Sequence, residues 1–263
     1  MARANRHHIP GCVWHITHRC HKQECLLKFS KDRDRYLCWL YEAKKRFGLK
    51  ILNYIVTSNH IHLLAIDTGK DVIPKSIQLI AGRTGQEYNQ RKNRKGAFWE
   101  DRYHATAIDT DDHLFRCITY IDLNMVRAGK ISNPSQWAAS GYNEIQKPPE
   151  RYSLIDRKSL MQLCGLAESG ELTVVHKQWI EEALGINNYS ERQSFWSESV
   201  AVGRKFFLED IVQKLRGTKN WEIVNRGNNL TIREPNTSYS TLFDSKKDPL
   251  SSENSYFWDK YNE

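Results

Sequence analysis

Alternating apolar and polar positions predict four β-strands in the first part of the chain. They span residues 12–19, 49–57, 60–67 and 97–109. Only Ser58 and Asn59 separate the second strand from the third, so these two strands are expected to form a tight antiparallel hairpin. Residues two apart in a strand point to the same face, which places His60 and His62 side by side and Ile61 on the opposite face.

Helical spacing follows the first and the third strands. The first helix is expected to begin near Ser30 and to end at Gly48, a residue type that often closes helices. The second has Pro74 in its first turn and contains Gly82 and Gly85, whose missing side chains favour close packing. The resulting order βαββαβ is typical of a ferredoxin-like α+β fold, in which an antiparallel sheet carries helices on one face.

A third helix is predicted from Thr110 or Asp111 to Gly129. Its core stripe consists of Leu114, Ile118, Ile121 and Met125. Tyr120 and Asn124 lie four residues apart and about 100° round from that stripe, so they share a neighbouring face. The helix is therefore expected to present an apolar face and a polar edge.

A change in composition marks a boundary after the third helix. The sequence "KPPE" at residues 147–150 indicates a linker, and three helical patterns follow it. They lie at residues 156–164, 176–184 and 204–216. We expect one domain over residues 1–146, a mainly helical extension over 147–233, and an acidic, partly irregular tail over 234–263.

The charge of the chain is unevenly distributed. The sequence has 39 Lys and Arg against 31 Asp and Glu, and residues 1–50 hold twelve of the basic and four of the acidic side chains, which accounts for the whole excess of +8. A second basic cluster, "RKNRKG", occupies residues 91–96. Such an asymmetry favours a polyanionic partner, most simply a nucleic acid, although a solvated surface would look the same.

No stretch of the sequence resembles a membrane span of roughly 18 apolar residues or the apolar core of a signal peptide. The expectation is a soluble cytoplasmic protein without a membrane partner, in which the six cysteines are reduced thiols. Cys20, His21 and Cys25 leave open a zinc site, although their spacing is irregular.

The paired histidines and the polar edge of the third helix carry the candidate chemistry. Two imidazoles on one strand face can bind a divalent metal, and the amide oxygen of Asn124 suits Mg²⁺ or Mn²⁺ as a third ligand. Tyr120 on the same helix face is then a candidate nucleophile beside the metal. Each signal alone also fits a bland alternative, a hydrogen-bonded surface histidine pair or a core tyrosine.

Four sequence motifs, in order over roughly residues 7–146, resemble those of a known family. "SNHIHLLA" at residues 58–65 resembles the H-hydrophobic-H (HUH) strand of the single-tyrosine transposases. "CITYIDLNMVRAG" at residues 117–129 is similar to the Tyr-Ile-x-x-Asn-Pro-Val-Arg-Ala-Gly motif of the branch called REP-associated tyrosine transposases. "VWHITHRC" and "FWEDRYHAT" resemble the first and fourth strands of that branch.

The resemblance implies a role for each matching residue. His60 and His62 match the metal-binding histidines, and Asn124 takes the place of a third ligand. Tyr120 matches the nucleophile, which attacks a phosphodiester of single-stranded DNA, becomes joined to the 5′ phosphate and leaves a free 3′ hydroxyl. The implied substrate is a short palindromic DNA hairpin, and the implied cofactor is Mg²⁺ or Mn²⁺. Met125 departs from the family pattern, because it replaces a proline that would kink the helix.

Several basic side chains are candidates for contact with DNA phosphates. They are Arg19, Arg83, Arg91, Lys92, Arg94, Lys95, Arg102 and Arg127. The sheet face opposite the packed helices is expected to offer a basic, aromatic-lined channel for a single strand. Two other functions stay open, a non-cutting nucleic-acid-binding or regulatory protein on the same fold and a zinc-stabilised domain. The sequence also leaves open whether the protein is a monomer or a homodimer.

Overall fold

A computed structural model describes residues 9–185, 192–215, 221–226 and 229–233. The predicted acidic tail over 234–263 lies outside the described residues. Within the described ranges, no helix is both long and apolar enough to cross a membrane.

The strands of the described residues form a single sheet. They are β1 (Val13–Arg19), β2 (Lys50–Val56), β3 (His60–Ile66), β4 (His104–Ile108), β5 (Ala201–Gly203), β6 (Glu222–Arg226) and β7 (Asn229–Arg233). The spatial order is β2-β3-β1-β4-β5-β7-β6, and every pair is antiparallel except β4 with β5. The first four strands and the two helices between them have the predicted βαββαβ order, which confirms the α+β fold class.

The helices occupy both faces of this sheet. They are α1 (Ser30–Phe47), α2 (Val72–Arg91), α3 (Asp112–Asp122), α4 (Asn124–Arg127), α5 (Gly141–Gln146), α6 (Arg157–Leu163), α7 (Ser169–Gly185), α8 (Phe195–Glu198) and α9 (Lys205–Lys214). Short 3₁₀ turns lie at His21–Gln23 and Pro134–Gln136. These bounds agree to within a few residues with the predicted starts of α1 and α2. They also agree with the three helical patterns predicted in the extension, except that α7 begins seven residues earlier than expected.

The two faces of the sheet are distinguished by alternate residues of β1. His18 stacks on Trp99 with ring centroids 4.0 Å apart, and Trp99 also contacts Tyr36 of α1, so His18 faces the paired helices α1 and α2. His15 points to the other face, where it contacts Tyr120 of α3. The helices of the βαββαβ unit therefore share one face as predicted, but the opposite face is covered by α3 and α8. The prediction that this face offers a basic, aromatic-lined channel for a single strand is therefore wrong.

The fourth strand is shorter than predicted. It spans only His104–Ile108, whereas the aromatic residues before it lie in a loop. Phe98 in this loop packs against Tyr88 of α2 with ring centroids 5.1 Å apart. Apolar and β-branched composition predicted a continuous strand there, but the loop pairs with the chain after β1 only through an isolated bridge between Cys20 and Trp99.

The extension after residue 147 contains strands as well as the predicted helices. β5 adds to the sheet in parallel with β4, pairing Ala201 with Ala107, and β7 and β6 follow. An ion pair reinforces the junction, since Oδ2 of the buried Asp109 lies 2.7 Å from Nε of the exposed Arg204. The extension thus lengthens the first sheet. The division of the chain into three domains stays a prediction.

Glycine allows close approach at this junction. A Cβ at Gly203 would lie 2.5 Å from Cβ of Asp109 and 2.6 Å from Cδ1 of Phe207, closer than real carbon contacts. The two glycines of α2 differ from each other. A Cβ at Gly85 would lie 3.1 Å from Cβ of Phe98, whereas nothing lies within 4 Å of one at Gly82. The predicted close packing therefore applies to Gly85 alone.

Gly203→Ala is expected to destabilise the protein because the added methyl group overlaps two neighbours at the β4–β5 junction. Overpacking of this kind costs about 1–3 kcal/mol, which thermal unfolding would detect as a lower Tm. Gly82→Ala is the matched control, and it should raise the stability by roughly 0.5–1 kcal/mol because alanine favours the helix and meets no neighbour. A Gly203→Ala protein as stable as the wild type would show that the extension is not packed against β4 in this way.

Candidate active site

His60 is held at the start of β3 by the turn that precedes it. Its Nδ1 lies 2.7 Å from Oδ1 of Asn59 and 3.0 Å from Oγ1 of Thr57. An amide oxygen can only accept a hydrogen bond, so Nδ1 of the neutral imidazole donates to Asn59. The lone pair of His60 is therefore on Nε2.

His62 belongs to a buried chain of hydrogen bonds. Its Nδ1 lies 2.8 Å from Nε2 of His15 on β1, and its Nε2 lies 3.0 Å from Nδ2 of Asn124. Nδ1 of His15 lies 2.7 Å from the main-chain oxygen of Trp196 in α8. The chain thus connects β3, β1, α4 and α8.

Burial keeps these histidines uncharged. Removal from water lowers the pKa of His15 and of His60 to about 4, and it holds the pKa of His62 well below its usual range. The charges of Arg19 and Arg127 act in the same direction on His60 and His62. All three imidazoles are therefore neutral near pH 7, which is the form that binds metal ions.

Tyr120 lies beside the histidines. Its ring centroid is 5.9 Å from that of His62 and 6.2 Å from that of His15. The guanidinium of Arg127 covers the ring at 4.1 Å, and the ring of Trp196 lies 6.2 Å away on another side. The residue is only 7 % exposed, and this burial raises its pKa although the charges of Arg127 and Arg192 oppose the effect.

A buried polar cluster fixes the end of α3, and so the position of Tyr120. Asp122 has no exposed surface, and its carboxylate accepts from Nδ2 of Asn53 on β2 at 3.0 Å and lies 2.7 Å from Nε2 of His176 in α7. Nδ1 of His176 lies 2.9 Å from Nε2 of Gln146, an amide nitrogen that can only donate, so Nε2 of the neutral imidazole donates to Asp122. These contacts hold the end of α3 against β2 and α7.

The predicted third helix is interrupted just after this cluster. α3 ends at Asp122, Leu123 lies between the helices, and Asn124 begins α4. The break occurs although Met125 replaces the proline of the family pattern, and Asn124 still reaches His62. The predicted core stripe of the helix is buried as expected.

Three guanidinium groups act electrostatically on the site. Arg19, Arg127 and Arg192 each lower the pKa of His60 through their charges, after the larger effect of burial. Arg192 is paired with Glu198 at 3.5 Å and is about half exposed. The site is therefore positively charged although its histidines are neutral, which suits a phosphate group.

The donor groups present fit a divalent metal ion. Nε2 of His60 and Nε2 of His62 are both unprotonated, and Asn124 interacts with both histidines. Asn124 directs its NH₂ group at His62, and turning the amide over would present its oxygen instead. Two imidazole nitrogens and one amide oxygen leave room for substrate oxygens on Mg²⁺ or Mn²⁺.

Two of the other predicted DNA contacts lie on the opposite side of the sheet from this site. Arg91 is ion-paired with Asp32 of α1, and Arg83 stacks over Trp39 of α1 at 5.5 Å, both on the α1–α2 side of the sheet. Arg94 donates to the main-chain oxygen of Ala97. The remaining candidates are exposed, namely Lys92, Lys95 and Arg102. Of the predicted set, Arg127 covers Tyr120, and Arg19 lies opposite His60 in the β1–β3 register.

Three site residues were not singled out from the sequence. His15 lies in the first-strand motif, on the face shared with Thr17, and the pairing of Thr17 with His62 would have brought it to the site had the register been known. Trp196 and Arg192 belong to the extension, where no motif marked them. Only the tertiary structure brings them to β1 and β3.

The zinc alternative has no support in the part of the chain that the structure describes. That part contains no group of three or more His, Cys, Asp or Glu side chains able to hold a metal. Cys20 is buried, which raises the pKa of its thiol to about 12, while Cys25 is exposed.

Comparison with known proteins finds a family model that is similar to the first part of the chain. Residues 8–124 match the model of a family described as IS200-like transposases, and they include His15, His60, His62, Tyr120 and Asn124. A search of curated proteins found no match.

Two solved structures are similar to the chain. One is a REP-associated tyrosine transposase bound to a REP hairpin, with 18% identity, a TM-score of 0.47, and coverage of 58% of this chain and 90% of the other. The second is described as a transposase from Deinococcus radiodurans, with 15% identity, a TM-score of 0.33, and coverage of 49% and 97%. Residues 8–124, somewhat less than half of the chain, are therefore similar to the IS200-like transposases.

Proposed function

We propose that the protein is a DNA strand transferase that cuts and rejoins single-stranded DNA through a covalent bond to Tyr120. The observation that carries the proposal is the position of Tyr120, whose ring lies 5.9 Å from that of His62 in a positively charged site. The match of residues 8–124 to a transposase family model supports an enzyme that acts on DNA. The motifs of the REP-associated branch favour a hairpin-forming substrate.

In the proposed reaction, Oη of Tyr120 attacks the phosphorus of a phosphodiester. A bond forms between Oη and the 5′ phosphate while the bond to the 3′ oxygen breaks, so the phenol loses a proton and the 3′ oxygen gains one. The phosphotyrosine ester retains the free energy of the original bond, and a 3′ hydroxyl can attack it to rejoin the strand. The step needs no nucleotide cofactor.

The charged groups around Tyr120 favour this step. Burial raises the pKa of the phenol, but the charges of Arg127 and Arg192 lower it, and so they favour the phenolate as it forms. The same guanidinium groups balance the charge of the pentavalent phosphate. A divalent ion bound by His60, His62 and Asn124 would polarise a phosphate oxygen when present.

A non-cutting nucleic-acid-binding protein is the second candidate function. The observation that favours it is the burial of Tyr120, which is 7 % exposed beneath Arg127 and Trp196. A scissile strand would have to displace Arg127 from the ring before attack. The two functions differ in one product, a covalent protein–DNA adduct.

Tyr120→Phe is expected to abolish this adduct because it removes the attacking oxygen and keeps the ring. The measurement uses a labelled single-stranded hairpin DNA with Mn²⁺, followed by denaturing electrophoresis. Tyr142→Phe is the matched control, since Tyr142 is equally buried but lies in α5 against His176. An adduct that persists in Tyr120→Phe would show that Tyr120 is not the nucleophile. A wild-type protein that binds the hairpin without forming an adduct would favour the non-cutting nucleic-acid-binding protein.

Arg127→Gln is expected to weaken binding of the hairpin more than Arg83→Gln does, because only Arg127 lies at the site. Loss of one phosphate contact should reduce the slope of log Kd against log salt concentration by about one unit. Fluorescence anisotropy over a salt series measures this slope. An equal loss in both variants would indicate that the DNA also contacts the face formed by α1 and α2.

A further inference from the structure

The main-chain oxygen of Trp196 begins a chain of hydrogen bonds whose direction can be assigned. A carbonyl oxygen only accepts, so the group that donates at 2.7 Å is Nδ1–H of His15. The oxygen is free for this contact because α8 ends at Glu198 and the N–H of Val200 donates to Ile232 of β7 instead. The first bond therefore fixes the proton of His15 on Nδ1.

The direction then passes to His62. With the proton of His15 on Nδ1, its Nε2 is the acceptor in the bond to His62, and Nδ2 of Asn124, which can only donate, requires the same direction at the other end. The bond of 2.8 Å between the two imidazoles therefore requires a proton on Nδ1 of His62. The second nitrogen of His62, Nε2, then carries the lone pair, and it accepts from Nδ2 of Asn124 at 3.0 Å.

Among the described residues, His15 is the polar group that is hydrogen-bonded to Nδ1 of His62. His15 has no exposed surface, and its ring lies nearly in the plane of the His62 ring, edge to edge, with centroids 5.0 Å apart and planes 11° apart. Water is therefore excluded between the rings. If Nδ1–H of His62 lost this acceptor, a buried donor would be left without a partner, at a cost of about 1–3 kcal/mol.

We propose that His15 is a positioning residue that fixes the tautomer of His62, with its own tautomer fixed by the main-chain oxygen of Trp196, so that Nε2 of His62 stays available for a divalent cation. The inference rests on the metal site of the proposed function and extends it. The extension after residue 147 then contributes, through Trp196, to a metal site whose proposed ligands lie within residues 8–124.

Hydrogen bonds to β4 hold the extension against the sheet near β1. Oγ1 of Thr106 on β4 donates to the main-chain oxygen of Ser199 at 2.7 Å, and the N–H of Ala107 donates to that of Val200 at 2.9 Å. These bonds hold the segment after α8 against β4, next to His15 on β1. The position of the Trp196 carbonyl is thereby determined by the sheet.

His15→Phe tests the inference, and His18→Phe is its matched control. His18 lies on the same strand, is also buried and also bonds to a main-chain oxygen, that of Asp101, but it faces α1 and α2. Two quantities are measured without DNA, the tautomer of His62 by ¹⁵N NMR of the metal-free protein and the Kd of Mn²⁺ by electron paramagnetic resonance. Thermal unfolding reports whether each variant is folded.

The expected wild-type tautomer of His62 has its proton on Nδ1. His15→Phe should give a mixture of tautomers and weaken Mn²⁺ binding by roughly 10- to 100-fold, as loss of a partner of a ligating histidine typically does. His18→Phe should change neither quantity. His15→Gln, whose amide oxygen can accept the same proton, should recover part of the affinity.

Two results would overturn the inference. One is a wild-type His62 that carries its proton on Nε2, which can be read even if His15→Phe does not fold. The other is a folded His15→Phe protein with the wild-type tautomer and affinity. A wild type that binds no Mn²⁺ would instead remove the metal from the proposed function, and the tautomer in the same sample would still decide the role of His15.

Discussion

The need to satisfy both ring nitrogens of His62 inside a covered sheet determines the arrangement of the site. β3 lies between β1 and β2, and helices cover both of its faces, so His62 cannot reach bulk water. One nitrogen is paired with His15 and the other faces Asn124. An imidazole in such a place is neutral and has a fixed tautomer, and both properties are those of a metal ligand.

The positive charge of the site comes from arginines, because its histidines stay neutral. Arg127 is mostly buried over Tyr120, whereas Arg91 is used in an ion pair between α1 and α2. Basic residues that look equivalent in the sequence thus have different roles, because Arg91 is paired with Asp32 on the opposite side of the sheet from the histidines. The N-terminal charge excess favoured a polyanionic partner but did not indicate which basic residues lie near the histidines.

The sequence predicted the site wherever local spacing determines geometry. The two-residue period of β3 placed His60 and His62 together, and the helical period of α3 placed Tyr120 and Asn124 on one face. Their approach to each other was inferred from the family resemblance, and the structure supplies the distances. The break at Leu123 was not predicted, because it depends on how Asp122 is anchored to Asn53 and His176.

The contribution of the extension could not have been predicted in this way. β5 is only three residues long, and its pairing with β4 depends on contacts about ninety residues apart in sequence. The residue that reaches the site from α8 acts through its main-chain oxygen, which every residue type possesses. Neither composition nor spacing can reveal such a contact.

The central claim is that Tyr120 becomes covalently attached to DNA. Its most direct test is mass spectrometry of the wild-type protein after reaction with a hairpin DNA, followed by nuclease and trypsin digestion. Cleavage after Arg116 and Arg127 yields a peptide that contains Tyr120 as its only tyrosine. The account predicts a 5′-linked nucleotide on Tyr120 in this peptide. A nucleotide attached to any other residue would contradict it.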